Sequence, residues 1–251
     1  MSPDLAAFAG RRGAPAARAA TEAPENEDAG TRSAVIDRLM IRLFALVCEA
    51  IAGATSALLS GDRETAKRLV AQDDQIDRLY REIEDVVQRE LALQGGSAAK
   101  LRYLVTILRM LPELERSGDL AEHVARRATR GIAMEMSARA RGLVEAMGEV
   151  ACAMWRMAAD AFGDGAPDVA ERLDELDDEM DELHVTLTAE LVGSGMAIAV
   201  IIELVLVARF YERLGDHAVN LARRVPEPAG REGFDYRPPG LSLAPRTTRI
   251  E

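Results

Sequence analysis

The chain has 251 residues, of which 48% are hydrophobic and only 4% are aromatic, so aliphatic side chains and methionine must build its core. This composition suits packed helices better than a β-sandwich, which favours β-branched and aromatic residues. The formal net charge of -11 argues against nucleic-acid binding, because phosphate contacts require a basic face.

Cellular location is indicated by what the sequence lacks. The N-terminus has no apolar segment of the signal-peptide type. The longest apolar run, 196–207, is interrupted by Glu203 and is too short to span a bilayer. Two cysteines do not make a disulfide scaffold in a chain of this length. We therefore expect a cytoplasmic protein without a transmembrane segment, and a peripheral position at the inner face of the membrane stays open.

Proline divides the chain into a core and two tails. Only Pro112 and Pro167 lie between residues 32 and 225, while the other eight prolines lie outside that range. The core can therefore be mostly helical. Residues 1–31 and the Pro-rich residues 226–251 lack hydrophobic periodicity, which predicts disordered tails at both ends.

Apolar residues in the core recur at spacings of three and four, which predicts long amphipathic helices. The first helix shows this in Ile36, Met40, Leu43 and Val47. Glycines punctuate the pattern at Gly61 and at Gly95-Gly96, as expected between helices.

The helices occur as two copies of one unit. A shift of 104 positions places Asp73 on Asp177, and a shift of 97 places Glu115 on Glu212. The predicted fold is all-α, with six long helices in two tandem three-helix bundles that are related by a pseudo-two-fold axis. The first unit is predicted to cover 32–133 and the second 134–225, with 131–142 at the junction.

Acidic residues stand four apart on the second and third helix of each unit, and that spacing places both members of a pair on one helix face. Such pairs repel each other, so a bound cation would explain why equivalent pairs occur in both units. Carboxylate oxygens suit Mg²⁺, Mn²⁺ or Ca²⁺, and they suit iron or zinc where several converge. The four pairs are Asp73 and Asp77, Glu115 and Asp119, Asp177 and Asp181, and Glu212 and Asp216.

Simpler interpretations of the same residues stay open. The acids can form a solvated face or pair with Arg116, Arg213 or neighbouring arginines. Gly118 and Gly215 stand within helices, where glycine costs about 1 kcal/mol relative to alanine. Their repetition indicates close approach by another helix, a backbone or an ion. His217 follows an acid and points about 100° away from it, so it is expected beside the site or at the surface.

The stretch Glu212 to Ala222, with sequence ERLGDHAVNLA, resembles the hallmark stretch of PhoU proteins, which regulate phosphate transport and phosphate signalling. The resemblance covers about 32–225 and includes both repeats. The motif residues around the acids are Arg116, Gly118, Arg213, Gly215, His217 and Asn220.

This resemblance implies a non-enzymatic negative regulator of the phosphate-starvation response. Such a protein is an adaptor that links the ATPase subunit of a phosphate ABC transporter to a membrane sensor histidine kinase. The resemblance also implies a homodimer or higher homo-oligomer, and metal ions (Mg, Mn, Fe or Zn) held by two sites. One site is Asp73, Asp77, Glu115 and Asp119, and the other is Asp177, Asp181, Glu212 and Asp216.

The first unit departs from the family pattern. Ser117 replaces the usual aliphatic residue, Leu120 stands where the second unit has His217, and His123 stands where it has Asn220. The second site is therefore expected to fit the family better.

Two alternatives remain at this stage. A ferritin-like carboxylate enzyme or metal store would use Glu-x-x-His motifs on two helices, and the sequence has none. A metal-free helical scaffold would need none of the acidic pairs.

Overall fold

The computed structural model describes residues 23–93, 97–164 and 169–225. No strand occurs in these ranges, which confirms the all-α prediction. A short 3₁₀ helix, Ile132–Glu135, lies in the junction between the units and has no counterpart in the sequence-based prediction. The six α-helices of the described ranges are α1 Ala23–Ser60, α2 Arg63–Ala92, α3 Ala98–Thr129, α4 Ala138–Asp164, α5 Val169–Gly193 and α6 Ile198–Arg224.

The predicted N-terminal tail is shorter than expected. Helix α1 begins at Ala23, so residues 23–31 are helical rather than disordered. Pro24 is compatible with this start, because the first N–H groups of a helix have no intrahelical acceptor and proline lacks only that group. Residues 1–22, the turn at Gly95-Gly96 and the C-terminal tail 226–251 lie outside the described residues.

Local capping explains where two helices begin. Gly61 adopts φ 73°, a left-handed conformation that ends α1. Asp62 then caps α2, because its Oδ1 accepts from the N–H groups of Glu64 at 3.1 Å and Thr65 at 3.0 Å. Ser97 caps α3 in the same way through the N–H of Lys100 at 3.2 Å. In the first unit, the starts of α2 and α3 are therefore set by capping residues in the local sequence.

The two units pack through equivalent helices, α1 on α4 and α3 on α6, as a pseudo-two-fold arrangement requires. Phe44 of α1 packs against Trp155 and Phe162 of α4, with ring centroids 6.1 and 5.6 Å apart. The Trp155 indole donates to the backbone carbonyl of Leu214 at 2.9 Å. Phe44 therefore joins the two units, and the Trp155 hydrogen bond holds α4 to α6 within the second unit.

Residues Ala34–Ser60 of α1 are long and apolar enough to cross a membrane by length and composition, with mean hydropathy 1.8. The sequence-based search overlooked this stretch because Arg38, Arg42 and Glu49 interrupt its apolar run. In the fold it packs against α2, α3 and α4, and Met40 and Val47 are fully buried. A buried core helix can have the same length and hydropathy, so this stretch is only weak support for a membrane span.

Candidate functional site

The acidic residues of α2 and α3 face one another in the first unit. Burial, followed by the charge of Asp119 on α3, raises the pKa of Asp73 on α2 to about 6. Glu122, Asp77 and Glu115 raise it further. The structure therefore brings the predicted carboxylates of two helices within electrostatic range.

The second unit repeats this arrangement between α5 and α6. Burial and then the charge of Asp216 raise the pKa of Asp177 to about 6, and Asp181 adds to the shift. The pKa of Glu212 is also raised, mainly by burial, while Arg209 opposes that shift. The same electrostatic strain occurs at equivalent positions of both units.

The two repeated glycines allow this approach. A Cβ atom on Gly118 would stand 3.4 Å from Oδ1 of Asp73, and one on Gly215 would stand 3.3 Å from Oδ1 of Asp177. A methyl group at Gly118 would also meet Cδ1 of Ile76 at 2.8 Å, whereas one at Gly215 would make tight contacts of 3.3 Å with Asp177 and with Sδ of Met154. Both glycines are explained by close packing of a second helix and its acid.

In the described part of the chain, the acids form no ion pair with the arginines of their own motif. Among the described side chains, Asp77 accepts from Arg81 at 2.8 Å, and Glu212 pairs with Arg209. The motif arginines Arg116 and Arg213 are exposed. The ion pairs that these acids do form therefore involve arginines outside the motif.

The carboxylate side chains are chemically suited to a metal ion, but they do not form a complete set of ligands in the described part of this structure. Carboxylates from two helices suit a hard cation, and their mutual repulsion is what a cation would relieve. Within the described ranges, however, no group of three or more His, Cys, Asp or Glu side chains is placed to hold a metal ion. Metal binding therefore stays a prediction.

Comparison with known proteins decides the family. The PhoU domain family model matches residues 40–128 and 144–225, one segment in each three-helix unit. The chain belongs to the PhoU family. This membership favours the regulatory interpretation over the ferritin-like one.

Curated PhoU relatives and solved PhoU structures agree with this. A Mycobacterium tuberculosis protein named phosphate-specific transport system accessory protein PhoU homolog 2 is 34% identical over 175 residues, which cover 68% of this chain and 82% of that protein. A Pseudomonas aeruginosa PhoU homolog is 33% identical over 192 residues, 74% of this chain and 78% of that protein.

The crystal structure of PhoU from Pseudomonas aeruginosa superposes with a TM-score of 0.73 at 29% identity, covering 81% of this chain and 99% of that one. The PhoU structure from Streptococcus pneumoniae superposes with a TM-score of 0.68 at 22% identity, covering 85% and 98%, and supports the fold alone.

The PhoU motif histidine does not support the acidic site. His217 lies in the contact between α6 and α3, where its Nδ1 is 2.8 Å from Oγ of Ser117. The Ser117 hydroxyl donates to the carbonyl of Glu113 at 2.6 Å, so it accepts from His217. Burial lowers the pKa of His217, which favours the neutral ring. Ser117, a departure from the family pattern, thus forms a hydrogen bond between the units with the motif histidine.

A second set of polar contacts in the same interface was missed by the sequence analysis. His123 stacks on Phe210 with ring centroids 5.4 Å apart. The guanidinium of Arg127 lies 4.7 Å from the centre of the same ring and forms an ion pair with Glu203 at 3.4 Å. Asn220, the equivalent of His123, is half-buried on α6.

The pseudo-symmetric counterpart of this contact is a simple ion pair. Arg224, which is equivalent to Arg127, pairs with Glu113, the equivalent of Phe210. In the sequence, these contacts were indicated only by the Arg-Arg pairs that repeat at 126–127 and 223–224. Their partners could not be read from the repeat, because the two units carry different residues at those positions.

Proposed function

We propose that this chain is an accessory protein of a phosphate transport system that acts as a negative regulator of the phosphate-starvation response. The observation that carries the proposal is the PhoU domain, which spans both three-helix units. The relatives named as accessory proteins of phosphate-specific transport support it. Those names favour a binding role over catalysis.

The two units suggest how such a protein could serve as an adaptor. Each unit presents an acidic face, on α2 and α3 in the first and on α5 and α6 in the second. Acidic faces favour basic partner surfaces. One molecule could therefore contact the transporter ATPase subunit and a sensor histidine kinase at once. We propose that this adaptor is a homo-oligomer of the cytoplasm that can associate with the inner face of the membrane.

The regulatory role can be tested in cells. Deletion of the gene should raise alkaline phosphatase activity in phosphate-rich medium, because the starvation response would no longer be held off. Re-expression of the full chain should restore repression. Unchanged alkaline phosphatase after deletion would contradict the regulatory role.

The facing carboxylates of each unit are proposed to hold a divalent or trivalent metal ion. The support is the raised pKa of Asp73 and Asp177, both of which face acids on a second helix. A cation would offset that repulsion. Which of Mg, Mn, Fe or Zn binds depends on availability as well as affinity.

Elemental analysis of protein purified without chelator tests the metal proposal. Changing Glu212→Ala and Asp216→Ala together should remove the metal of the second unit and leave that of the first. The matched control is Glu179→Ala with Glu182→Ala, which removes the same charge from exposed positions of α5. Equal metal content in all three proteins would contradict a site at these acids.

A further inference from the structure

Two exposed arginines beside the contact of α3 with α6 form no ion pair with any described side chain. They are Arg116 on α3 and Arg213 on α6, which occupy equivalent positions in the two units. The neighbouring arginines are each paired with a carboxylate: Arg127 and Arg130 with Glu203, and Arg224 with Glu113. One uncompensated positive charge from each unit therefore lies where the units meet.

Both arginines act on the same half-buried ring, that of His217. Arg213 lies one turn before His217 on α6, so the two side chains share a helix face, and Asn220 continues that face. Arg116 directly precedes Ser117 on α3, whose hydroxyl oxygen lies 2.8 Å from Nδ1 of His217. Burial lowers the pKa of His217, and the charges of Arg213 and Arg116 lower it further. The two guanidinium groups thus reach one place from two different units.

Negative groups face the same ring and limit the positive charge there. Glu113 on α3 and Asp216 on α6 oppose the effect of the arginines on the pKa of His217, but Glu113 is ion-paired with Arg224. Together with Arg224, the charged groups that act on His217 are three arginines and two carboxylates, a formal charge of +1. This balance favours an anion, and direct hydrogen bonds must supply most of its affinity.

The donors around His217 suit a tetrahedral oxyanion. Each guanidinium offers N–H groups in a planar fork that matches the oxygens of a phosphate group. The Ser117 hydroxyl accepts from Nδ1 of His217, so Nε2 is the ring nitrogen that is left for a further partner. A phosphate hydroxyl can donate to that nitrogen, whereas sulfate has no proton to donate at neutral pH. The amide of Asn220, half-buried on the same face, offers two more N–H donors.

We propose that Arg116 and Arg213 bind a phosphate group at the exposed edge of the α3–α6 contact, with His217 and Asn220 beside them. A phosphate held by one arginine from each unit stabilises the contact between the units. The affinity is expected to be weak, with a Kd of roughly 1 mM, because both arginines are exposed and must be ordered on binding. This inference rests on the proposed function only for its role in the cell, where the protein would respond to phosphate itself.

NMR of the full-length chain tests this site, because the chain has only three histidines. Isotopic labelling of histidine resolves each imidazole, and His217→Gln assigns the signals of His217. Orthophosphate, added at about pH 7 and constant ionic strength with EDTA present, should shift these signals with half-saturation at roughly 1 mM. EDTA removes any metal that could itself bind phosphate. The signals of His184, which lies near Glu212 in the second acidic site, should stay in place.

Substitution of the two arginines separates a site from general ionic effects. Arg116→Gln with Arg213→Gln should weaken phosphate binding about tenfold or more, because the charge-assisted hydrogen bonds are lost. The matched control, Arg38→Gln with Arg42→Gln, removes the same charge from exposed positions of α1 and should stay within about twofold of the wild type. Circular dichroism checks that both variants fold. Sulfate should bind about fivefold more weakly than phosphate, or weaker still, because it cannot donate to Nε2 of His217.

Phenyl phosphate distinguishes free phosphate from a phosphate group on a larger molecule. Binding more than about tenfold tighter than orthophosphate would support the site and assign it to a monoester, whereas equal or weaker binding would assign it to orthophosphate. Several results would overturn the site. These are no shift of the His217 signals up to about 20 mM phosphate, equal shifts with sulfate, shifts confined to His184, or equal weakening by both arginine pairs. None of these results changes the outcome of the deletion assay, so the regulatory proposal is tested separately.

Discussion

The two three-helix units share helix order and acidic pairs but differ where they meet. Phe44 of α1 fills the contact with α4, whereas its equivalent in the second unit is Gly148. A Cβ on Gly148 would stand 2.4 Å from Cγ2 of Thr55, so glycine there allows α1 to approach. The Thr55 hydroxyl in turn lies 2.7 Å from the hydroxyl of Tyr211. Phe44 and Gly148 therefore occupy equivalent positions with side chains of very different size.

The difference shows which features a duplicated helical unit must keep. The acidic pairs and the glycines beside them occur in both units, because each unit places the acids of its second and third helices against each other. Residues at the contact between the units are free to diverge, since each meets a different partner. Ser117 and His217 illustrate this, because their equivalents Leu214 and Leu120 form no such bond.

The largest effect is expected at the α1–α4 contact. Gly148→Ala should lower the free energy of unfolding by about 2–3 kcal/mol, because the β-branched and buried Thr55 cannot move aside easily. Urea denaturation of the full chain measures this. Gly142→Ala in the same helix is the control, since nothing lies within 4 Å of its Cβ position. It should stabilise by up to about 1 kcal/mol. Equal effects of the two changes would contradict the close α1–α4 packing.

The two motif glycines should differ from each other. A Cβ on Gly118 would stand 2.8 Å from Cδ1 of Ile76, whereas one on Gly215 meets Sδ of Met154 at 3.3 Å. Gly118→Ala should therefore cost about 1–2 kcal/mol. Gly215→Ala should change stability by less than about 0.5 kcal/mol, because methionine adapts and alanine favours the helix. Identical urea midpoints for both variants would show that the units pack alike here.

The hydrogen bond between Ser117 and His217 should contribute about 1 kcal/mol of coupling between the units. A double-mutant cycle with Ser117→Ala and His217→Ala measures it directly. Additive losses in the two single variants would mean that the contact contributes nothing beyond packing.

The smallest effect is expected from the pH dependence of the acids. The pKa of Asp177 is raised to about 6 in the folded chain from 3.8, so its charge destabilises the fold above pH 6. That cost disappears as the pH falls from 6 towards 3.8. Asp177→Asn should therefore raise the melting temperature at pH 7.5 in the presence of chelator and lose this advantage near pH 4. The exposed Asp178→Asn is the control.

His217 acts in the opposite direction. Its pKa is lowered, so the unfolded chain takes up a proton first and stability falls as the pH decreases below 6.5. Comparison of Asp177→Asn with the wild type at each pH removes this contribution. An advantage of Asp177→Asn that does not depend on pH would contradict the charge explanation.

The sequence by itself determined the helices, the repeat and the acidic pairs. Each depends on spacing along the chain, and a helix face is defined by residues three and four apart. The same local signals predict a tail up to residue 31, whereas α1 begins at Ala23. The prediction is wrong there because Pro24 is compatible with the first turn of a helix. These signals also missed the apolar length of α1, because a few charged residues interrupt it.

Only the tertiary structure decided which residues meet across the units. Ser117 and His217, or Arg127 and Phe210, stand far apart in sequence, and nothing in the periodicity pairs them. Their contacts depend on how α3 and α6 cross, which the packing of all six helices determines. For the same reason the repeated Gly118 could be found in the sequence, whereas the carboxylate and side chain that approach it appeared only in the fold.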